Sequence, residues 1–376
     1  MNFHDAARYF AFNIFQQSYT AQPNQNSSLS PNAIQSALAI LFLQANPEAA
    51  DEMRQLLGLS QNTEKVAMDL EAFVMNFNDA YLGVASNLVY SKDIDFRTDL
   101  LETLRRWYKM SPEAVDFSQG QQVLDCAKAW TNKVTNGQIK RCLKPKKVYK
   151  GESMILLSTF TMKASWKLPY IKESSGKVKF HYENGDHEIE MMNIRDWFSY
   201  AKCDGFHFVE IPYANNTDLE MLVIMPLDGQ PLKQIIPKLT ASWYRDLQSI
   251  MGSRKLNLHL PKFFINAQVP IKTILEGMNV PEMFKPGAFN VSTTTPAQLT
   301  DIRQCVRLEF KELAKKCSDG NNPREIICKK SEFLVDRPFV YLIRKQSTKD
   351  IIFIGHYSYY ETVATVTTPV QAQAAK

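Results

Sequence analysis

No apolar run in this 376-residue chain reaches the roughly 18 residues that a membrane-crossing helix needs, which excludes a helical membrane span. Glycine and proline are sparse (14 and 18) and nowhere cluster into a linker or a repeat. One domain is therefore expected over residues 1–360, with a disordered tail over residues 361–376. Cysteine is scarce too. Cys126, Cys142, Cys203, Cys305, Cys317 and Cys328 are too few and too scattered for a disulfide scaffold, and none forms a Cys-x-x-Cys pair, so metal binding is not expected. Cys126, Cys203 and Cys305 are expected as buried free thiols.

Catalytic signatures are also missing. The chain has no Gly-x-Ser-x-Gly elbow, no His-Glu-x-x-His, no phosphate-cradling glycine loop and no EF-hand loop. No catalytic residue, metal or cofactor is assigned, and an enzyme is not expected. The six histidines are dispersed; His181 and His187 flank a turn and read as solvated. A formal charge of +5 is mild for this length, so any polyanion site must be local. The densest basic cluster is Lys140, Arg141, Lys144, Lys146, Lys147 and Lys150, read first as a solvated loop and alternatively as a site for heparin-like glycans or acidic lipids. No aromatic platform interleaves it, so nucleic acid is not an expected partner.

What is present is a large apolar fraction, 45%, enough to bury a sizeable core. Apolar residues recur at helical spacing over 10–15, 33–42, 68–77 and 100–107, and a further helix over 123–135 would end at Asn136-Gly137 as a C-cap. A strand interrupts at 82–90. After Ser153 the pattern turns to strands, punctuated at Asn184-Gly185-Asp186, Asn215-Asn216-Thr217 and Asp228-Gly229. Helices followed by strand-rich sequence predict an α+β fold. Residues 1–10 carry charges where a signal peptide would have its apolar core, so the protein is either intracellular or lacks its leader in this chain. Glycan acceptor triplets at Asn26, Asn215 and Asn290 would suit a secreted glycoprotein, although their number is near chance.

The run Phe333-Leu334-Val335-Asp336-Arg337-Pro338-Phe339-Val340-Tyr341-Leu342-Ile343 is a strand, a proline-restricted turn and a second strand, and it resembles the serpin signature. Asn26 to Ile34 with its Ser30-Pro31, Met154-Ile155-Leu156-Leu157-Ser158-Thr159-Phe160, Val209-Glu210-Ile211-Pro212-Tyr213, Met221-Leu222-Val223-Ile224-Met225-Pro226, Leu260-Pro261-Lys262-Phe263 and Ile352-Phe353-Ile354-Gly355 follow in the family's order. With Lys163 and Trp166 after it, the stretch from Met154 resembles the central strand of the family's large sheet, and Trp166 resembles the breach tryptophan that follows. The resemblance implies an α+β serpin fold: three β-sheets, eight or nine helices, an exposed reactive-centre loop and a monomer. It also implies a serine endopeptidase as partner and an extracellular home, with the cytoplasm as the alternative.

In the serpin mechanism a protease cleaves the exposed loop, whose N-terminal half then inserts as a new central strand of the main sheet. The family hinge of Glu-Glu-Gly-Thr and an alanine-rich run is here Glu312-Leu313-Ala314-Lys315-Lys316. Strand alternation sends one of two adjacent lysines to the inner face. An unpaired ammonium there costs roughly several kcal/mol. In the gap that receives the loop, Ser158 stands in the place of the family's asparagine and Arg303-Gln304 covers its histidine. Family spacing puts the reactive-centre bond at Ile327-Cys328, with Arg324-Glu325 as a trypsin-like alternative. Cys317 and Cys328 either close a disulfide that staples the loop or remain reduced. These readings favour a serpin that has lost inhibition and keeps a binding or regulatory role. The alternatives are a functional suicide inhibitor of a serine endopeptidase and a polyanion-binding protein.

Overall fold

The computed structural model describes residues 3–22, 24–60, 62, 65–66, 82–106, 108–143, 153–162, 166–167, 177–213, 218–227, 230–310 and 332–361. Helix α1 (Phe3–Ala21) buries Phe10, Ile14 and Phe15. Helix α2 (Pro31–Phe42) starts where Ser30 accepts a hydrogen bond from the Ala33 N–H and Pro31 takes the first helical position. Helix α3 (Pro47–Leu57) was not expected. Its signals were legible: Asn46 caps Ala49 N, Pro47 opens the helix and Gly58 closes it at φ 64°. Helices α4 (Thr98–Arg106) and α5 (Gly120–Val134) follow, α5 ending ahead of the positive-φ pair Asn136 and Gly137 as expected. The expected helix over 68–77 lies outside the described residues.

The strand-only reading beyond Ser153 needs correction. Short helix α6 (Leu232–Ile235), helix α7 (Ala241–Ile250) and helix α8 (Ile271–Gly277) sit among the strands; α7 is capped by Thr240, whose hydroxyl accepts from Trp243 N. Eight α-helices are present among the described residues.

Among the described residues the strands form a five-stranded and a nine-stranded sheet. The first has the order β10 (Phe263–Pro270), β11 (Gln298–Phe310), β4 (Ser153–Met162), β2 (Leu82–Ser91), β3 (Glu113–Val115). In the second, two of the three expected sheets run together through the 19-residue β6 (Gly185–Cys203), which pairs with β5 (Lys177–Tyr182), β7 (Phe206–Pro212) and β9 (Gly252–Pro261). Its other members are β1 (Ser27–Leu29), β8 (Leu219–Pro226), β12 (Glu332–Leu334), β13 (Phe339–Lys345) and β14 (Ile351–Tyr357). The signature run supplies β12 at one edge, against β9, and β13 between β8 and β14, where Phe339 to Ile343 are fully buried on both faces.

Apolar packing divides into three regions. The inner face of the five-stranded sheet meets α2 with Leu88, Leu156 and Ile302, and meets the nine-stranded sheet with Phe160, Val306 and Leu308. The outer face is covered by α5, whose Val123, Ala127 and Trp130 pack on Val89, Ile155 and Leu157. On β14, Gly355 is required by crowding: a Cβ there would lie 2.4 Å from the Ser27 carbonyl oxygen and 2.6 Å from the Tyr341 hydroxyl.

Sequence reasoning missed a buried charge cluster. The fully buried Arg344 guanidinium donates to Glu220 Oε1 at 2.7 Å, to the Tyr244 hydroxyl at 2.8 Å and to Glu210, while Lys349 Nζ reaches Glu220 at 2.6 Å. Burial pulls the Arg344 pKa down, but Tyr244 and the two carboxylates outweigh it and the guanidinium stays charged. Charged residues inside otherwise apolar strand runs were the available signal.

His356, also on β14, is fully buried beside Phe15 and Tyr19, with Nδ1 2.8 Å from the Ser358 hydroxyl. Burial pushes its pKa down to about 3. Between pH 6.5 and 3 the unfolded chain therefore binds a proton that the folded chain refuses, and stability falls as pH falls through that window. We expect about 2 kcal/mol of stability to be lost from this group between pH 7 and pH 5. Urea melts across that range should show the loss in the wild type and a flatter dependence in His356→Gln.

Candidate functional site

Strands β4 and β11 lie side by side and parallel, from Ser153 opposite Gln298 to Met162 opposite Leu308, with one irregularity at Leu299/Asp301. Residues directly opposite share a face. Ser158 faces Gln304 on the inner side, and Arg303 faces Leu157 on the outer side, where its Nε meets Asp301 Oδ2 at 3.0 Å. Of the two residues that covered the histidine's place, Gln304 thus points inward and Arg303 does not.

Gln304 is completely buried and uses both ends of its amide. Its Oε1 accepts from the Ser30 N–H at 2.7 Å, and its Nε2 donates to the Ser30 carbonyl at 3.1 Å and to Ser158 Oγ at 3.5 Å. This clamp sits where the apolar packing against α2 gives way to packing between the sheets. It ties β11, β4 and the first residue of the α2 cap together, so a two-sided hydrogen-bonding group does stand in the gap. Ser158, by contrast, supplies only a long contact.

Trp166 stacks on Tyr213 with ring centroids 4.5 Å apart and 12° between planes, joined by a backbone bridge, just beyond the end of β4. Phe310, the last residue of β11, stacks on Phe263 at 4.2 Å and meets Tyr341 edge-on at 5.5 Å. The chain between Phe310 in one sheet and Glu332 in the other is residues 311–331, outside the described residues. The expectations for Glu312, Leu313, Ala314, Lys315, Lys316, Cys317, Arg324, Glu325, Ile327 and Cys328 therefore lie outside them as well. So do Lys163, Lys144, Lys146, Lys147 and Lys150, Asn215 and residues 362–376. Lys140 and Arg141 are described, and both are exposed.

The free-thiol expectation fails for Cys305. It is disulfide-bonded to Cys142, with Cα atoms 5.7 Å apart and a sequence separation of 163. Separation in sequence hid the pair, which the sheet brings together. Cys126 and Cys203 are free but half-exposed rather than buried. Burial, then Glu113 at 3.1 Å, pushes the Cys126 thiol up to about 12. Asn26 is corrected as a glycan acceptor: it is buried, donates to the Tyr359 carbonyl at 2.8 Å and accepts from the backbone of Ser358 and Tyr359. Asn290 remains exposed. His181 pairs with Asp186 at 2.9 Å, and His187 stacks on Tyr360.

The described residues of this region thus show a continuous parallel seam, a buried polar clamp behind it and an aromatic stack just beyond the end of β4. The family model Serpin (serine protease inhibitor) matches residues 5–359, and the chain belongs to the serpin family. It is 26% identical to Serpin B3 of Homo sapiens over 384 residues, covering 93% of this chain and 97% of that one. In fold it is similar to SRPN18 from Anopheles gambiae, with a TM-score of 0.87 at 18% identity over 96% of this chain and 99% of that one. It is also similar to native protease nexin-1 solved with heparin, with a TM-score of 0.82 at 21% identity, covering 95% and 99%. Among the described residues, no helix is long and apolar enough to cross a membrane.

Gln304→Ala would strip partners from the buried Ser30 backbone groups. A loss of about 2–3 kcal/mol is expected in urea unfolding. Gln304→Glu should be at least as costly, because a carboxylate cannot donate to the Ser30 carbonyl.

Proposed function

We propose that this chain is a serpin that no longer inhibits by loop insertion and acts instead as a binding or regulatory protein, without enzymatic activity. The observation that carries this reading is the meeting of two features. The hinge places Lys315 beside Lys316. The inner face of the seam that an inserted strand would join is lined by Leu156, Phe160, Ile302, Val306 and Leu308, all buried. In either register one lysine turns toward that face. An ammonium buried there without a partner costs roughly several kcal/mol, enough to oppose insertion. Pro323 adds to the cost, since it removes a ladder donor from a central strand.

The competing reading is a working suicide inhibitor cut at Ile327-Cys328 or Arg324-Glu325. Incubation with a trypsin-like and an elastase-like protease separates the two. We expect simple cleavage of the loop; a gel-stable covalent complex would establish the inhibitor instead. After a nick between residues 318 and 330, the melting temperature should stay within a few degrees of the intact chain. A rise on the order of tens of degrees would mean that the strand had inserted.

The Cys142–Cys305 bond supports an oxidising and hence extracellular home, where such bonds persist. Closing so long a loop stabilises the fold by about 5 kcal/mol in the chain-entropy account. A polyanion role is a second reading, supported by the exposure of Lys140 and Arg141 at the start of the basic cluster. Salt-sensitive retention on heparin, lost on replacing both with glutamine, is its test.

A further inference from the structure

Helix α1 buries Phe10, Ile14 and Phe15 on one side, and on the other Tyr9, Asn13 and Gln17 recur every four residues as a single stripe. That stripe is one wall of a cleft of about 420 Å³, closed by α3 with Glu52 and Gln55 and by the chain that leaves α8 with Asn279. The volume falls in the range of roughly 300–1,000 Å³ that small-molecule sites occupy. Among the described residues, nothing from β4 or β11 lines it, so the cleft is separate from the seam.

The polar groups around this cleft divide into those spent on the fold and those left over. Gln16 is spent: its Nε2 donates to the carbonyls of Ile236 at 3.3 Å and Leu239 at 2.9 Å. Glu52 is fixed in the wall, its Oε2 accepting from the N–H groups of Glu282 at 2.8 Å and Met283 at 3.3 Å. Asn13, Gln17, Gln55 and Asn279 are left over, since none makes a side-chain hydrogen bond among the described residues. Two local devices bring these amides together. Gly277, the last residue of α8, leaves room for the Gln17 amide, whose Nε2 a Cβ there would strike. Asn279 then turns the chain back at φ 58°, a left-handed conformation that asparagine tolerates. Tyr9 is 48% exposed, one of four large hydrophobic side chains so placed among the described residues. Scattered amides on a surface need no ligand. Four that converge from three elements on one cavity, beside an exposed ring, do.

We propose that this cleft binds a neutral saccharide, with a pyranose ring packed against Tyr9 and its hydroxyls bonded to the amides of Asn13, Gln17, Gln55 and Asn279. Each sugar hydroxyl both donates and accepts, and a primary amide offers an acceptor and two donors in one plane, so one amide serves two neighbouring hydroxyls. The C–H face of a pyranose is flat and apolar and suits an aromatic ring, while Leu56 and Met278 add apolar lining beneath. Glu52 keeps acceptor capacity for a further hydroxyl. Charge sets this ligand apart from the polyanion of the basic cluster. No basic side chain lines the cleft among the described residues, and those on the flanking elements are paired: Lys285 with Glu282 at 2.6 Å, Lys272 with Glu276 at 3.8 Å, and Arg54 with Asp51. A sulfated, phosphorylated or carboxylated sugar would meet Glu52 there without a compensating cation.

The test is a titration of the full ¹⁵N-labelled chain, followed by the side-chain amide signals of its asparagines and glutamines. The probes are the methyl glycosides of glucose, mannose, galactose, fucose and N-acetylglucosamine, together with lactose, mannobiose and chitobiose. At least one should bind with a Kd of about 1 mM or tighter, shifting Asn13, Gln17 and Gln55 and receiving saturation transfer from the Tyr9 ring. Tyr9→Ala and Gln55→Ala alter exposed positions, so each should melt within a few degrees of the wild type while binding about tenfold more weakly. No shift at these amides with any of the eight sugars would overturn the proposal, and so would an affinity unchanged in both variants. Inorganic sulfate or a heparin disaccharide shifting the same signals more strongly would make the cleft an anion site and overturn it as well. An acetylated glycine–alanine tetrapeptide that shifts them where the sugars do not would replace the saccharide with a peptide.

Discussion

The parallel pairing of β4 with β11 is the constraint on which the rest of this molecule depends. It closes the inner face of the five-stranded sheet into a continuous apolar surface, interrupted by one polar layer at Ser158 and Gln304. That layer is satisfied because the N-terminus of α2 arrives opposite it and offers both backbone groups of Ser30 to a single amide. A buried polar layer of this kind is strong only when complete. The position of α2, and with it the packing of α1 and α3, is therefore referred to the seam.

The nine-stranded sheet supplies the rigid counterpart. Its centre is braced by Arg344, whose charge is compensated by Glu220 of β8 and Glu210 of β7 and whose third guanidinium nitrogen donates to Tyr244 of α7. Such a cluster adds little net stability over apolar packing, but it penalises any other register, since a one-residue slip would bury carboxylates without their cation. The two ends of the long connection are anchored in different sheets, Phe310 among Phe263 and Tyr341, and Phe333 against Tyr200 and His207.

Much of the fold was legible because its elements announce themselves locally. Ser30-Pro31 marks a capped helix start, Asn136-Gly137 a helix end, and the run from Phe339 to Ile343 a strand buried on both faces. Helix α3 was readable from Asn46, Pro47 and Gly58 and was overlooked. The helices after Ser153 were obscured by the strands around them, since a helix of four to ten residues buries only two or three side chains of its own. At the gap, the sequence narrowed the inward residue to Arg303 or Gln304, and strand register alone chose between them, because neighbours on a strand point to opposite faces.

By itself, then, the sequence determined what depends on near neighbours: the caps, the order and character of the strands, and the family. The tertiary structure alone decided what depends on residues brought together from far apart. Gln304 completes Ser30 across 274 residues, Arg344 finds Glu210 and Glu220, and Cys142 meets Cys305 across 163. No local pattern encodes such pairs. Each is fixed by register and packing that form only when the two sheets and the segment after α5 are assembled together.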